Sequence, residues 1–326
     1  MAFQTVTSGM NHETAFNRRA IPDSATVGTW TARDGWPLRR FDWAPVGKPR
    51  GSLLFQPGRG DIFEKYLETF DHWRRAGWSI TSFDWRGQGG SGRLGPDPRV
   101  GHAMDLGPMV GDLEAFFADW RSDHAGPHVV IAHSMGGHLL MRALAEHRIA
   151  PDMAVMIAPM LGLHSAPLPA GVARHVARLM TRVGRPERAA WKNNERPTSG
   201  RTARQTFLTH DPQRYADEIW WKEHQPDLAL GPPSWGWLAA AYESVAILDA
   251  PGALEGIDVP VLLIGADHDK LVDPAAIRRA AARLKDVELV MFGLESAHEI
   301  LREADPVRNR ALALIDDFLG KRAPVR

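Results

Sequence analysis

At 326 residues the chain is long enough for one large α/β domain, alone or with an insert. Its 44% hydrophobic and 24% charged content is that of an ordinary soluble globular protein, and a formal net charge of +0 gives no global electrostatic case for nucleic acid or an anionic membrane. Cysteine is absent, which excludes disulfides and thiolate metal sites.

Residues 1–25 are polar and unpatterned and read as a loose N-terminal arm. Met1-Ala2-Phe3-Gln4-Thr5 lacks the basic-then-apolar order of a secretory signal, so a cytoplasmic location is expected. Residues 27–32 and 38–43 alternate around Asp34-Gly35 and predict a hairpin of half-exposed strands. Residues 51–56 form a buried-type strand that ends in Pro57-Gly58-Arg59-Gly60. Over 62–75, Phe63, Tyr66, Leu67, Phe70 and Trp73 recur at helical spacing, and 78–83 is the next strand. Strand, helix, strand with short links implies a parallel pair with a right-handed crossover. The pattern repeats through 128–141 and returns at 153–158, 259–264 and 287–292, and an amphipathic helix over 304–319 closes the chain. The longest apolar stretch, 153–163, contains Pro159 and is too short to span a bilayer.

Between 161 and about 238 the alternation stops. The segment is helix-prone, Arg-rich, broken by Pro and Gly, and carries Trp191, Trp220, Trp221, Trp235 and Trp237. It is too long for a loop and reads as an inserted helical subdomain. Its basic run, 174–188, lacks acidic balance; a solvated helical face is the plain reading, and attraction to phosphate headgroups is the alternative.

The chemistry centres on Ser134. The apolar run 128–132 leads into His133-Ser134-Met135-Gly136-Gly137 and then a helix-periodic segment, the signature of a sharp strand-to-helix turn that presents a serine hydroxyl above a sheet. Such a backbone is strained, and Ala132, Gly136 and Gly137 supply the small neighbours it needs. A serine hydroxyl is a poor nucleophile until an imidazole takes its proton and a carboxylate orients that imidazole. The loop after strand 259–264 offers Asp267, Asp269 and Asp273, and the loop after strand 287–292 offers His298; both lie at carboxyl ends of strands, where ligands bind in open parallel sheets. Asp269, just before Leu271-Val272, is the first choice of acid and Asp267 the second, while Asp273 before Pro274 reads as a helix cap. The oxyanion donors are expected at the backbone N–H of Met135 and of Arg59.

Two other motifs are decoys. Gly87-Gln88-Gly89-Gly90-Ser91-Gly92 fits G-x-G-x-x-G, but Pro96 and Pro98 follow where a dinucleotide site needs a helix to begin. His298-Glu299 would begin H-E-x-x-H, but position 302 is Arg. No cofactor and no metal are expected.

Asp84-Trp85-Arg86-Gly87-Gln88-Gly89-Gly90-Ser91 resembles the D-x-R-G-x-G-x-S segment of the α/β-hydrolase superfamily. Ala132-His133-Ser134-Met135-Gly136-Gly137 and Ala297-His298-Glu299 are similar to its bacterial lysophospholipase and monoacylglycerol lipase branch, and the resemblance runs from about residue 30 through Gly231-Pro232-Pro233-Ser234-Trp235. It implies an α/β-hydrolase fold: a mostly parallel sheet with an N-terminal antiparallel hairpin, helices on both faces, a core of 1–161 and 239–326, and a helical lid over 162–238. It implies the triad Ser134, Asp269 and His298, and a serine esterase acting on lipid-like esters. Gln56-Pro57-Gly58 departs from the His-Gly of many relatives. Weak peripheral membrane contact through the lid, and no nucleic acid, complete the expected partners. An amidase, aminopeptidase or thioesterase on the same triad is the alternative. For an aminopeptidase, Glu187, Glu195, Asp217, Glu218 and Glu223 could hold a free amino group. A slow-turnover receptor is the third reading.

Overall fold

A computed structural model describes residues 16–165, 167–191 and 203–323. Among them, eight strands form one sheet: β1 (Ala25–Thr31), β2 (Pro37–Trp43), β3 (Gly51–Gln56), β4 (Trp78–Phe83), β5 (His128–His133), β6 (Met153–Ile157), β7 (Val261–Ala266) and β8 (Val287–Phe292). Their order is β1-β2-β4-β3-β5-β6-β7-β8, with β1–β2 and β2–β4 antiparallel and every later pairing parallel. The chain passes from β3 to β4 on one side and resumes at β5 on the other. The sheet therefore reverses direction of growth between β3 and β5, and in open α/β sheets ligands bind outside the carboxyl ends at such a switch point. The turn 57–60 and Ser134 both lie there.

β3, β5, β6 and β7 are buried along their whole length, as strands covered on both faces must be. Successive residues feed opposite cores. Leu54, Val130, Met156 and Leu263 face one side, covered by α2 (Gly107–Asp123), α3 (Met135–Ala145), α7 (Trp235–Asp249) and α8 (Pro274–Ala281). Leu53, Val129, Val155 and Leu262 face the other, covered by α1 (Leu67–Arg75) and α9 (Asp305–Arg322). The helix expected over 62–75 divides into a 3-10 turn, Phe63–Tyr66, and then α1. β7 begins at Val261, two residues later than the sequence pattern suggests, after Pro260, which has no N–H for the ladder.

After β6 the chain leaves the sheet for α4 (Ala170–Val183), α5 (Ala203–Leu208) and α6 (Pro212–His224) before α7 returns it. Ser234 caps α7 by accepting the Trp237 N–H at 3.0 Å, so the expected boundary at 238 falls inside a helix. The loose-arm reading fails from residue 16 onward. Phe16 packs on Trp43, Arg18 and Arg19 pair with Asp217 at 2.5 and 2.7 Å, and Trp221 Nε1 donates to the Arg18 carbonyl at 2.9 Å. Residues 1–15 lie outside the described residues.

Candidate active site

Ser134 sits between β5 and α3 with φ 53° and ψ −117°, a left-handed backbone for a non-glycine residue. The neighbouring chain holds it there. Ser134 N donates to the Ile157 carbonyl at 3.0 Å, and the Ser134 carbonyl accepts from His138 N and Met160 N at 3.0 Å each. A β-carbon at position 136 would stand 2.5 Å from the Pro57 carbonyl oxygen, and one at 137 would stand 2.9 Å from Pro159 Cβ. Both glycines are demanded by close approach of main chain and ring, which is the physical content of the small-residue pattern.

The loops after β7 and β8 converge on this serine. His298 Nε2 lies 2.9 Å from Ser134 Oγ, and His298 Nδ1 lies 2.6 Å from Asp269 Oδ2. Asp269 Oδ1 accepts the N–H groups of Leu271 at 2.7 Å and Val272 at 3.1 Å, so the carboxylate is fixed at both oxygens. Burial works to raise the Asp269 carboxyl, but the charge and hydrogen bond of His298 and the two N–H donors outweigh it and hold it below its ordinary value. Burial likewise works to lower His298, and Asp269, by charge and hydrogen bond, outweighs it, so the imidazole is raised. Asp267 is exposed and paired with Arg278 at 2.6 Å. Asp273 caps α8 through the Ala275 N–H at 2.9 Å. Of the acids on this loop, Asp269 is the one that meets the imidazole.

The turn carrying Arg59 lies against the serine: a β-carbon at Gly58 would be 3.0 Å from Ser134 Cβ. Gly58 N donates to Asp61 Oδ2 at 3.2 Å and Gly60 N to Gln88 Oε1 at 2.6 Å, fixing the turn on both sides of Arg59. Gln88 Nε2 also reaches Met135 Sδ at 3.7 Å, so one side chain touches Met135 and Gly60, the residue after Arg59. The Arg59 guanidinium donates to the Gly231 carbonyl at 2.6 Å and lies over Trp237, tying the turn to the segment that precedes α7.

The G-x-G-x-x-G loop opens no helix; its glycines accommodate Asp84 and Arg39. A β-carbon at Gly89 would meet Asp84 Oδ2 at 2.3 Å and one at Gly90 would meet Arg39 Cδ at 2.4 Å, while Gly90 N donates to Asp84 Oδ2 at 2.8 Å.

Sequence reasoning missed a buried ionic cluster beneath the site. Lys65 Nζ contacts Asp61, Glu299 at 2.6 Å and Glu218 at 3.0 Å, and Arg302 contacts Glu299 and, at 3.1 Å, Glu218. Glu218 also binds Lys222 at 2.5 Å. The carboxylates suggested as amino-group holders are thereby engaged: Glu218 here, Asp217 with Arg18 and Arg19, and Glu187 with Arg185. Glu223 is exposed, and Glu195 lies outside the described residues. Within the basic run, Arg174 and Arg178 both pair with Glu243 and Arg185 pairs with Glu187. Trp221 and Trp237 are buried packing residues.

Residues 47–305 match the family described as serine aminopeptidase, S33. The chain is 30% identical over 284 residues to lysophospholipase L2 of Escherichia coli (strain K12), covering 82% of this chain and 80% of that one. It is 28% identical over 273 residues to the monoacylglycerol lipase of Mycolicibacterium smegmatis, covering 81% and 86%. Among solved structures, a soluble variant of monoglyceride lipase from Saccharomyces cerevisiae superposes with a TM-score of 0.73 at 18% identity, over 95% of this chain and 99% of that one. The sheet order and the covering helices are those of the α/β-hydrolase fold.

Proposed function

Because the chain belongs to the serine aminopeptidase S33 family of α/β-hydrolases, we propose that it is a serine hydrolase that cleaves carboxylic esters of lipid-like substrates through an acyl-enzyme. The observation that carries this reading is the unbroken path Ser134 Oγ–His298 Nε2, His298 Nδ1–Asp269 Oδ2, at 2.9 and 2.6 Å. Ser134 attacks the ester carbonyl while His298 Nε2 takes its proton; the oxyanion rests on the Met135 and Arg59 N–H groups, each contributing about 2.7–4 kcal/mol to the transition state. Collapse expels the alcohol, protonated by His298. Water, deprotonated by the same nitrogen, then releases the acid.

The relatives' lysophospholipase and monoacylglycerol lipase names favour a long-chain acyl ester, and the inserted segment between β6 and α7 acts as the lid over it. An ester fits better than an aminoacyl amide, because Asp217 and Glu218 already carry cationic partners. Within the lid, α4 exposes Val172, Val176, Leu179 and Val183 along one stripe, a face suited to peripheral contact with a lipid surface. Among the described residues, no helix is long and apolar enough to cross a membrane.

The test is a substrate panel after fluorophosphonate labelling: monoacylglycerol, lysophospholipid, short p-nitrophenyl esters and aminoacyl amides, with the lipids offered dispersed and in vesicles. Multiple turnover of lipid esters, faster in vesicles and abolished in Ser134→Ala, is expected. An active Ser134→Ala variant would end the mechanism. One turnover or fewer per protein would favour a receptor, and preferred amide cleavage would reassign the substrate.

A further inference from the structure

His133 directly precedes the serine, and its side chain lies in the interior, between Asp61 and the His298 main chain. It is almost fully buried and makes contacts that no ordinary packing residue needs. Nδ1 lies 3.1 Å from Asp61 Oδ2 and 3.0 Å from the Tyr66 hydroxyl, which itself donates to Asp61 Oδ2 at 2.7 Å. Nε2 lies 3.3 Å from the main-chain oxygen of His298, and the two imidazole centroids are 4.8 Å apart. The same Asp61 Oδ2 accepts the Gly58 N–H, in the turn that carries Arg59. One buried ring therefore joins the oxyanion turn, through Asp61, to the backbone of the general base.

We propose that His133 is a positioning residue for the reaction: it sets the distance between the Arg59 N–H and His298, two groups that must converge on one substrate carbonyl. The inference rests on the serine-hydrolase reading above. Its physical basis is that the two groups come from opposite ends of the chain, on separate loops. Asp61 is a dependable anchor because, although burial acts to raise its carboxyl, Lys65 and His133 keep it well below the ordinary range and hence ionised. Lys65 in turn holds Glu299, the residue after His298, so the base is gripped on both sides of its peptide. The Glu299 N–H donates to the Leu208 carbonyl at 2.7 Å, completing the frame.

A reaction needing sub-ångström convergence loses rate, rather than ground-state affinity, when such a frame loosens. The experiment compares His133→Phe, His133→Asn and His133→Gln on a short p-nitrophenyl ester and a monoacylglycerol. The expected result for His133→Phe is a kcat lower by about 10²-fold with KM within about threefold. His133→Asn, which keeps a donor toward Asp61, and His133→Gln, which reaches toward the His298 carbonyl, each recover part of the loss. Should His133→Phe not fold, Tyr66→Phe removes only the hydroxyl shared by Asp61 and His133, and a kcat lower by about tenfold with KM unchanged is expected. A kcat within about threefold of wild type for His133→Phe, or losses equal in all three His133 variants, overturns the proposal. An active wild type with an indifferent His133 sinks this inference alone, whereas a wild type that turns over no ester sinks both.

Discussion

Asp267, Asp269 and Asp273 stand within seven positions on one loop, and what separates them is the direction in which each is already committed. Asp273 faces the α8 N–H groups, Asp267 faces Arg278 in solvent, and Asp269 turns inward with one oxygen on two backbone donors and the other on His298. Asp269→Asn should therefore lower kcat by about 10⁴-fold through loss of the imidazole tautomer, whereas Asp267→Asn should leave it within about twofold, since an exposed pair contributes little. The pH profile carries a second signature. In the proposed mechanism the base works only when neutral, and His298 is raised above its ordinary 6.5, so kcat/KM should climb through a limb centred above 6.5. Removing the Asp269 charge should move that limb to lower pH. The linked stability runs the other way: the raised imidazole stabilises the fold fully below 6.5, and the contribution is lost as pH rises through the folded value. A rate limb unmoved by Asp269→Asn, or an Asp267→Asn variant as damaged as Asp269→Asn, would reassign the acid.

The strand–turn–helix element around Ser134 works because its glycines are filled space rather than slack. A methyl at position 136 would press on the carbonyl oxygens of Pro57 and Gln56, at 2.5 and 2.7 Å, and both belong to the chain leading into the turn proposed to carry the Arg59 oxyanion donor. Gly136→Ala should cost about 1–3 kcal/mol in urea unfolding and lower kcat as well. Gly111, inside α2, has nothing within 4 Å of a β-carbon, and Gly111→Ala should stabilise by about 0.4–1 kcal/mol with activity unchanged. Equal and small effects at both positions would mean the elbow is looser than its contacts require. These elements also mark what could be read from the residues alone. The strands were legible to within about two residues at each end, because each buried parallel strand is a local β-branched or apolar run bounded by turn formers, as in Gly51–Gln56 followed by Pro57-Gly58. α2 gave no comparable signal: it opens on Gly107-Pro108, carries Gly111 inside, and buries Asp112 against Arg86, so its inward face is not uniformly apolar. The meeting of Ser134 and His298 was legible because chain order and strand ends constrain where each falls. His133, Asp61 and Lys65 were not, since a charge in a sequence looks solvated until the fold places its partner.

Across the whole molecule the same blindness applies to the way the inserted segment is attached. α6 is joined to the core by ion pairs that span the chain: Glu218 with Lys65 and Arg302, Arg214 with Glu68 at 3.0 Å and Asp305 at 2.6 Å, and Asp217 with Arg18 at 2.5 Å. α4 is held differently, resting on α7 with Arg174 and Arg178 on the half-exposed Glu243. Buried Glu218 is kept ionised well below its ordinary range: burial opposes this, and Lys222, Lys65, Arg204 and Arg302 more than compensate. Deleting one member of such a cluster leaves uncompensated charge in a low-dielectric interior, which costs far more than the pair itself contributes. Glu218→Ala should therefore destabilise by about 3–5 kcal/mol, against about 0–1 kcal/mol for Glu243→Ala, whose cations keep their hydration. The double variant Lys65→Met/Glu218→Met should recover part of the Glu218→Ala loss, because it removes opposite charges together. Because Lys65 also holds Glu299 beside His298, Glu218→Ala should lower kcat along with stability, while Glu243→Ala should leave kcat alone. Urea unfolding and ester turnover on the same three preparations decide the matter. Equal losses for Glu218→Ala and Glu243→Ala would mean that water reaches the cluster and that α6 is no more firmly seated than α4.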